Sequence, residues 1–86
     1  MSDIPPSPPP SPVEIDARGL LCPLPVLRLR KRLAALPAGA EAVLLASDPA
    51  AIIDVPHFCN QGGHAYLGAE PLPDGATAHR VRKGRG

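Results

Sequence analysis

Two cysteines, three histidines and two clusters of basic residues are the side chains of this sequence best suited to chemistry. Cys22 stands in the stretch GLLCPLPVL, with Pro23 and Pro25 at the first and third positions after it. Gly19 closes a strand-like segment and Pro23 opens a helix-like one, so Cys22 falls at or beside the helix N-cap. Unpaired amides and the positive end of the helix dipole converge there, and both favour a thiolate. A cysteine so placed is expected to ionise below the free value of about 8.5, and the thiolate is the nucleophile. Pro23 fits the first turn without losing a hydrogen bond, and Pro25 removes a further amide. That leaves Leu24 as the nearest residue of the turn able to donate to sulfur, and makes rigidity the main contribution of the prolines. The opposing reading is a buried cysteine acting as a small hydrophobe.

Hydrolysis by Cys22 requires a histidine base held by an orienting group. His57, His64 and His79 have no triad spacing, so the chemistry that fits is a thiol that accepts a group and hands it on. Cys59, after Phe58, reads as a core cysteine, with a resolving thiol as the alternative. There is no Cys-x-x-Cys or His-x-x-x-His pair, and neither a metal nor a bound cofactor is expected. Arg28, Lys31 and Arg32 lie off the apolar stripe of their helix. They either solvate it or form a docking surface for an acidic partner or an anionic sulfur compound, to which Arg80, Arg82 and Lys83 could add. With one Phe, one Tyr and no Trp there is little to stack bases on, and direct nucleic-acid binding is not expected.

The elements that must position these residues follow from periodicity. Residues 13–17 alternate as a half-buried strand. Between Pro23 and Leu36, apolar Val26, Leu29, Leu33 and Leu36 recur at three and four, an amphipathic helix stopped by Pro37 and Gly39. Residues 42–46 form a continuous apolar run suited to a buried strand. Asp48 is the expected N-cap of a second helix, with Pro49 at its first position and Pro56 breaking or kinking it before Gly62 and Gly63. Residues 64–70 and 76–82 alternate around PLPDG, a hairpin. The order β-α-β-α-β-β predicts an α/β (α+β) two-layer sandwich, a four-stranded mixed sheet with both helices on one face.

The chain has 86 residues, of which the first twelve carry six of the thirteen prolines and one charge. The expected organisation is a disordered proline-rich tail over 1–12, one domain over 13–83 and a flexible C-terminus over 84–86. No apolar run is long enough to cross a bilayer and no secretory leader is recognised, which predicts a cytoplasmic protein with reduced thiols and no membrane contact. Net charge is +1, so any basic surface is local.

The segments DARGLLCPLPVLRLRKRL and SDPAAIIDVPHFCNQGGH together resemble the TusA/SirA-like sulfur-carrier family, marked by a Cys-Pro-x-Pro element at the start of the first helix. The likeness spans about residues 13 to 83 and rests on Cys22-Pro23-Leu24-Pro25, Asp48-Pro49 and Phe58-Cys59. It implies a β-α-β-α-β-β fold resembling the C-terminal domain of a bacterial translation initiation factor. It also implies a sulfurtransferase in which Cys22 carries a persulfide from a cysteine desulfurase or rhodanese-like donor to an acceptor protein, for transfer-RNA thiolation, cofactor assembly or sulfur oxidation. Members serving transfer-RNA thiolation often carry a basic residue before the cysteine and an acid between the prolines; this chain has Leu21 and Leu24, a more apolar setting. A non-catalytic interaction or RNA-binding regulatory module, and a redox sensor pairing Cys22 with Cys59, are the alternatives.

Overall fold

The computed structural model describes residues 11–85. Most of the proline-rich segment therefore lies outside the described residues. The elements run β1 (Val13–Asp16), α1 (Leu24–Ala34), β2 (Glu41–Ala46), α2 (Ala51–Gly62), β3 (Ala65–Pro71) and β4 (Thr77–Arg82). They build one four-stranded sheet in the order β1-β2-β4-β3. β1 pairs with β2 in parallel, and the two remaining pairs are antiparallel. This is the two-layer mixed-sheet sandwich that the sequence predicts.

Strand alternation sets the two faces of the sheet. Register places Ile15 opposite Leu44 and Ala42 opposite Val81, so these side chains project together toward the helices. Helix α1 answers with Pro25, Leu29 and Leu33, spaced by four, and α2 with Ala51, Val55 and Cys59. All of these but Pro25 join one buried cluster, flanked by half-buried Val26, Phe58 and Tyr66.

Helix α2 departs from expectation at both of its irregular points. It starts at Ala51 instead of Pro49, because the amides of Ala51, Ile52 and Ile53 bond three residues back, to the carbonyls of Asp48, Pro49 and Ala50, in a tighter 3₁₀ turn. Nor does Pro56 divide it: α2 is continuous through Gly62. The amide that Pro56 lacks would have met the carbonyl of Ile52, a residue on the exposed side where water can replace it. Gly63 ends the helix at φ 74°, the left-handed cap that glycine adopts without a Cβ penalty. In β3 a bulge between Tyr66 and Gly68 leaves Leu67 without a strand partner.

His79 is fully buried on the helix-facing side of β4. Its Nδ1 lies 3.0 Å from the Tyr66 hydroxyl, and its Nε2 is buried without a partner among the described residues. Burial holds its pKa below the ordinary histidine value. His64, whose Nδ1 accepts the Gly84 amide, is shifted the same way by burial and by nearby Lys83. The unfolded chain therefore binds more protons than the folded one once pH drops below about 6.5, so stability present above that value is lost on acidification. Urea unfolding should show a falling midpoint between pH 7.5 and pH 5, and His79→Leu should flatten that slope. An unchanged slope in the variant would remove His79 from the account.

Candidate functional site

The site is assembled where the β1–α1 and β2–α2 loops meet above the parallel pair. Leaving β1, the chain turns through Arg18 and Gly19, and the Gly19 amide donates to Ser47 Oγ at 2.8 Å. Arg18 bonds the carboxylates of Asp16 and Asp74, which ties this loop to the β3–β4 turn. The arginine holds the Asp16 carboxyl down to about 2. The Cys22 amide then donates to Asp48 Oδ2 at 2.7 Å, while Asp48 Oδ1 accepts the Ala50 amide at 3.0 Å. Asp48 is thus not the N-cap of α2, a position Ala50 holds without a side-chain cap; it closes the turn before the helix and also anchors the backbone of Cys22. Those two amides keep its carboxyl below the ordinary value. Asp48→Ala should remove both bonds, lower the midpoint of chemical denaturation and raise amide exchange at Cys22. Unchanged exchange at Cys22 would show that the anchor is dispensable.

Cys22 is exposed, directly before Pro23, the N-cap of α1. The buried reading of Cys22 is thereby excluded, but the expectation of a lowered pKa is overturned. The Sγ lies 3.0 Å from Asp54 Oδ2, with the thiol as donor. This bond raises the Cys22 pKa first, with desolvation and the charges of Asp54 and Asp48 adding to it. Among the described residues no amide donates to the sulfur in the way the sequence suggests. The Leu24 amide donates instead to the Leu21 carbonyl at 2.8 Å. Asp54 is the functional-site residue that the sequence reading misses. Its available signal was the spacing of Asp54, His57, Phe58 and Gln61, which is one face of a helix.

That face of α2, together with Cys22, Pro23 and Val26, lines an open groove of about 370 Å³. Leu21, 70% exposed, and Leu24 stand on either side of Cys22-Pro23 in the chain, and Ile52 and Ile53, 74% exposed, lie in the first turn of α2. A neighbouring depression is lined by Leu20, Leu24, Leu27, Arg28 and Lys31.

The basic residues separate. Arg28, Lys31 and Arg32 are all exposed on α1, and Arg28 Nη1 donates to the Asp16 carbonyl at 2.8 Å. Arg80 and Arg82 do not join them. They project from the open face of the sheet and share the Glu41 carboxylate. Lys83 Nζ donates to the Leu36 carbonyl, beyond the far end of α1. Cys59 is a core residue, 1% exposed, and burial pushes its thiol up to about 11. Both cysteines are free. Among the described residues no three His, Cys, Asp or Glu side chains gather as metal ligands, and no helix is long and apolar enough to cross a membrane.

Fold and site together define a small α/β domain that presents one exposed thiol at a strand-to-helix junction. The chain belongs to the family described as sulfurtransferase TusA, which it matches over residues 13–83. It is 41% identical over 70 residues to a sulfur carrier protein TusA of Pseudomonas syringae pv. syringae, covering 81% of this chain and 82% of that protein. To the sulfur carrier protein TusA of Pseudomonas savastanoi pv. phaseolicola it is 39% identical over 69 residues, covering 80% and 81%. Its fold matches the crystal structure of a SirA-like protein from Desulfitobacterium hafniense with a TM-score of 0.75 and 26% identity, over 85% of this chain and 99% of that one. Family membership gives the chain a sulfur-carrier role in the broad sense.

Proposed function

We propose that this protein accepts a sulfane sulfur on Cys22, carries it as a persulfide and passes it to an acceptor protein. The observation that supports this most directly is the exposed Cys22 thiol at the head of α1, set in an open groove, in a chain of the TusA family. In the loading step the Cys22 thiolate attacks the terminal sulfur of a donor R–S–SH. A new S–S bond forms at Cys22, the donor S–S bond breaks and R–S⁻ leaves to be protonated. The sum, Cys22–SH plus R–S–SH giving Cys22–S–SH plus R–SH, involves no net oxidation or reduction. Discharge repeats the exchange, with an acceptor thiolate attacking the outer sulfur.

Pro23, Leu24 and Pro25 hold the thiol at the helix head, and exposed Leu21 and Leu24 beside it meet the partner. Arg28, Lys31 and Arg32 face the same partner from α1 and assist encounter and orientation. The donor is a cysteine desulfurase or a rhodanese-like protein, and the setting is the cytoplasm, where thiols stay reduced. The test is intact mass spectrometry after incubation with a desulfurase and cysteine, or with inorganic polysulfide. A reductant-labile sulfur adduct on the Cys22 peptide is the expected result. No adduct with any of these donors, or one confined to Cys59, would refute the reading.

A further inference from the structure

An exposed thiol whose only hydrogen-bond partner among the described residues is a carboxylate is an odd arrangement for a nucleophile. A carboxylate can accept the thiol proton but can only repel a thiolate. The charged and titratable groups around Cys22 are two carboxylates and one imidazole. From α2 come Asp54, at 3.0 Å from Sγ, and His57 in the groove wall; from the β2–α2 loop comes Asp48. The α1 residues that line the groove, Pro23 and Val26, carry no charge. Among the described residues no Lys or Arg lines the groove to offset Asp54, whose carboxylate is accessible there to an incoming molecule.

We propose that Asp54 gates Cys22: the Sγ–H to Oδ2 bond holds the empty carrier as an unreactive thiol, and Cys22 turns nucleophilic when a hydrogen-bond donor or cationic group of the docked sulfur donor engages that carboxylate. Released from Asp54, the thiol gives its proton to solvent, the thiolate attacks the sulfane sulfur, and the departing donor thiolate takes a proton from solvent in turn. An exposed thiol held in this way resists chance alkylation and oxidation between partners, because both follow thiolate character. The gate implies a donor whose sulfur-bearing segment presents a basic side chain or backbone amide to Asp54 and an apolar surface to Leu21 and Leu24.

The proposal rests on Cys22 being the sulfur-bearing thiol, but its test reads the thiol without sulfur. Iodoacetamide alkylation of Cys22, followed by mass spectrometry across pH 6 to 10, should give a wild-type midpoint above that of free cysteine. Asp54→Asn should lower the midpoint. A tenfold gain in thiolate, set against the nucleophilicity lost as pKa falls, gives a rate about three to four times faster at pH 7.5. Asp54→Glu, which keeps the carboxylate, should restore slow alkylation, and loading by inorganic polysulfide should accelerate in Asp54→Asn alone. A wild-type midpoint at or below that of free cysteine would overturn the gate without recourse to any variant. So would an unchanged midpoint in a folded Asp54→Asn protein. If wild type alkylates as expected yet never takes up sulfur, the carrier reading fails and the gate stands.

Discussion

Cys22→Ser should abolish sulfur loading completely while leaving the fold intact. The serine hydroxyl is close in size to the thiol, is exposed at the same place and can still donate to Asp54, so circular dichroism and the unfolding midpoint should match wild type. What disappears is the atom that exchanges with sulfane sulfur. A hydroxyl has no accessible anionic form near neutral pH and forms no S–S bond. The remaining thiol does not compensate: Cys59 is 1% exposed in the core, and burial pushes it up to about 11. Intact masses before and after treatment with a sulfur donor provide the measurement. A Cys22→Ser protein that gains the wild-type adduct would end the proposed mechanism.

The second large effect is on stability. Leu44→Ala should destabilise the domain by about 3 kcal/mol, within the range for a buried leucine truncated in a close-packed core. Leu44 is fully buried on β2, the strand flanked by β1 and β4, where it lies opposite Ile15 and His79. Collapse around the vacated volume is restricted because backbone ladders hold both neighbouring strands. Small domains have only about 5 to 10 kcal/mol in hand, so the unfolded fraction should rise more than a hundredfold. The site should weaken with it, since Ser47 and Asp48, the anchors of Gly19 and Cys22, follow directly on β2. Urea denaturation checks the energy. A change below about 1 kcal/mol would mean the core relaxes far more than its packing suggests.

Much of this fold was legible before any coordinates. The alternation of Val13, Ile15 and Ala17, the three-and-four spacing of Leu29, Leu33 and Leu36, and the hairpin signal at Asp74-Gly75 each report a local period. In this fold the periods agree with one another. Pro56 shows where such reading stops. A proline predicts a broken helix unless the carbonyl it orphans can meet water, and that depends on which side of α2 faces the sheet. The basic residues teach the same lesson. Arg80 and Arg82 read as a charge cluster, yet the antiparallel pairing of β2 with β4 brings Glu41 between them.

The sequence by itself determined that a cysteine would stand at the head of the first helix; its exposure was decided by the fold. Gly19, Pro23 and Pro25 act on their immediate neighbours, and a strand-to-helix junction needs no distant partner to form. Only the tertiary structure supplied the hydrogen bond that pushes that cysteine's pKa up. Its controlling contacts come from Asp48 and Asp54, which are 26 and 32 residues away along the chain. The helix head alone argues for a thiolate, through a dipole whose influence is diffuse. A carboxylate at 3.0 Å argues for the thiol, and at that distance the direct hydrogen bond outweighs the dipole.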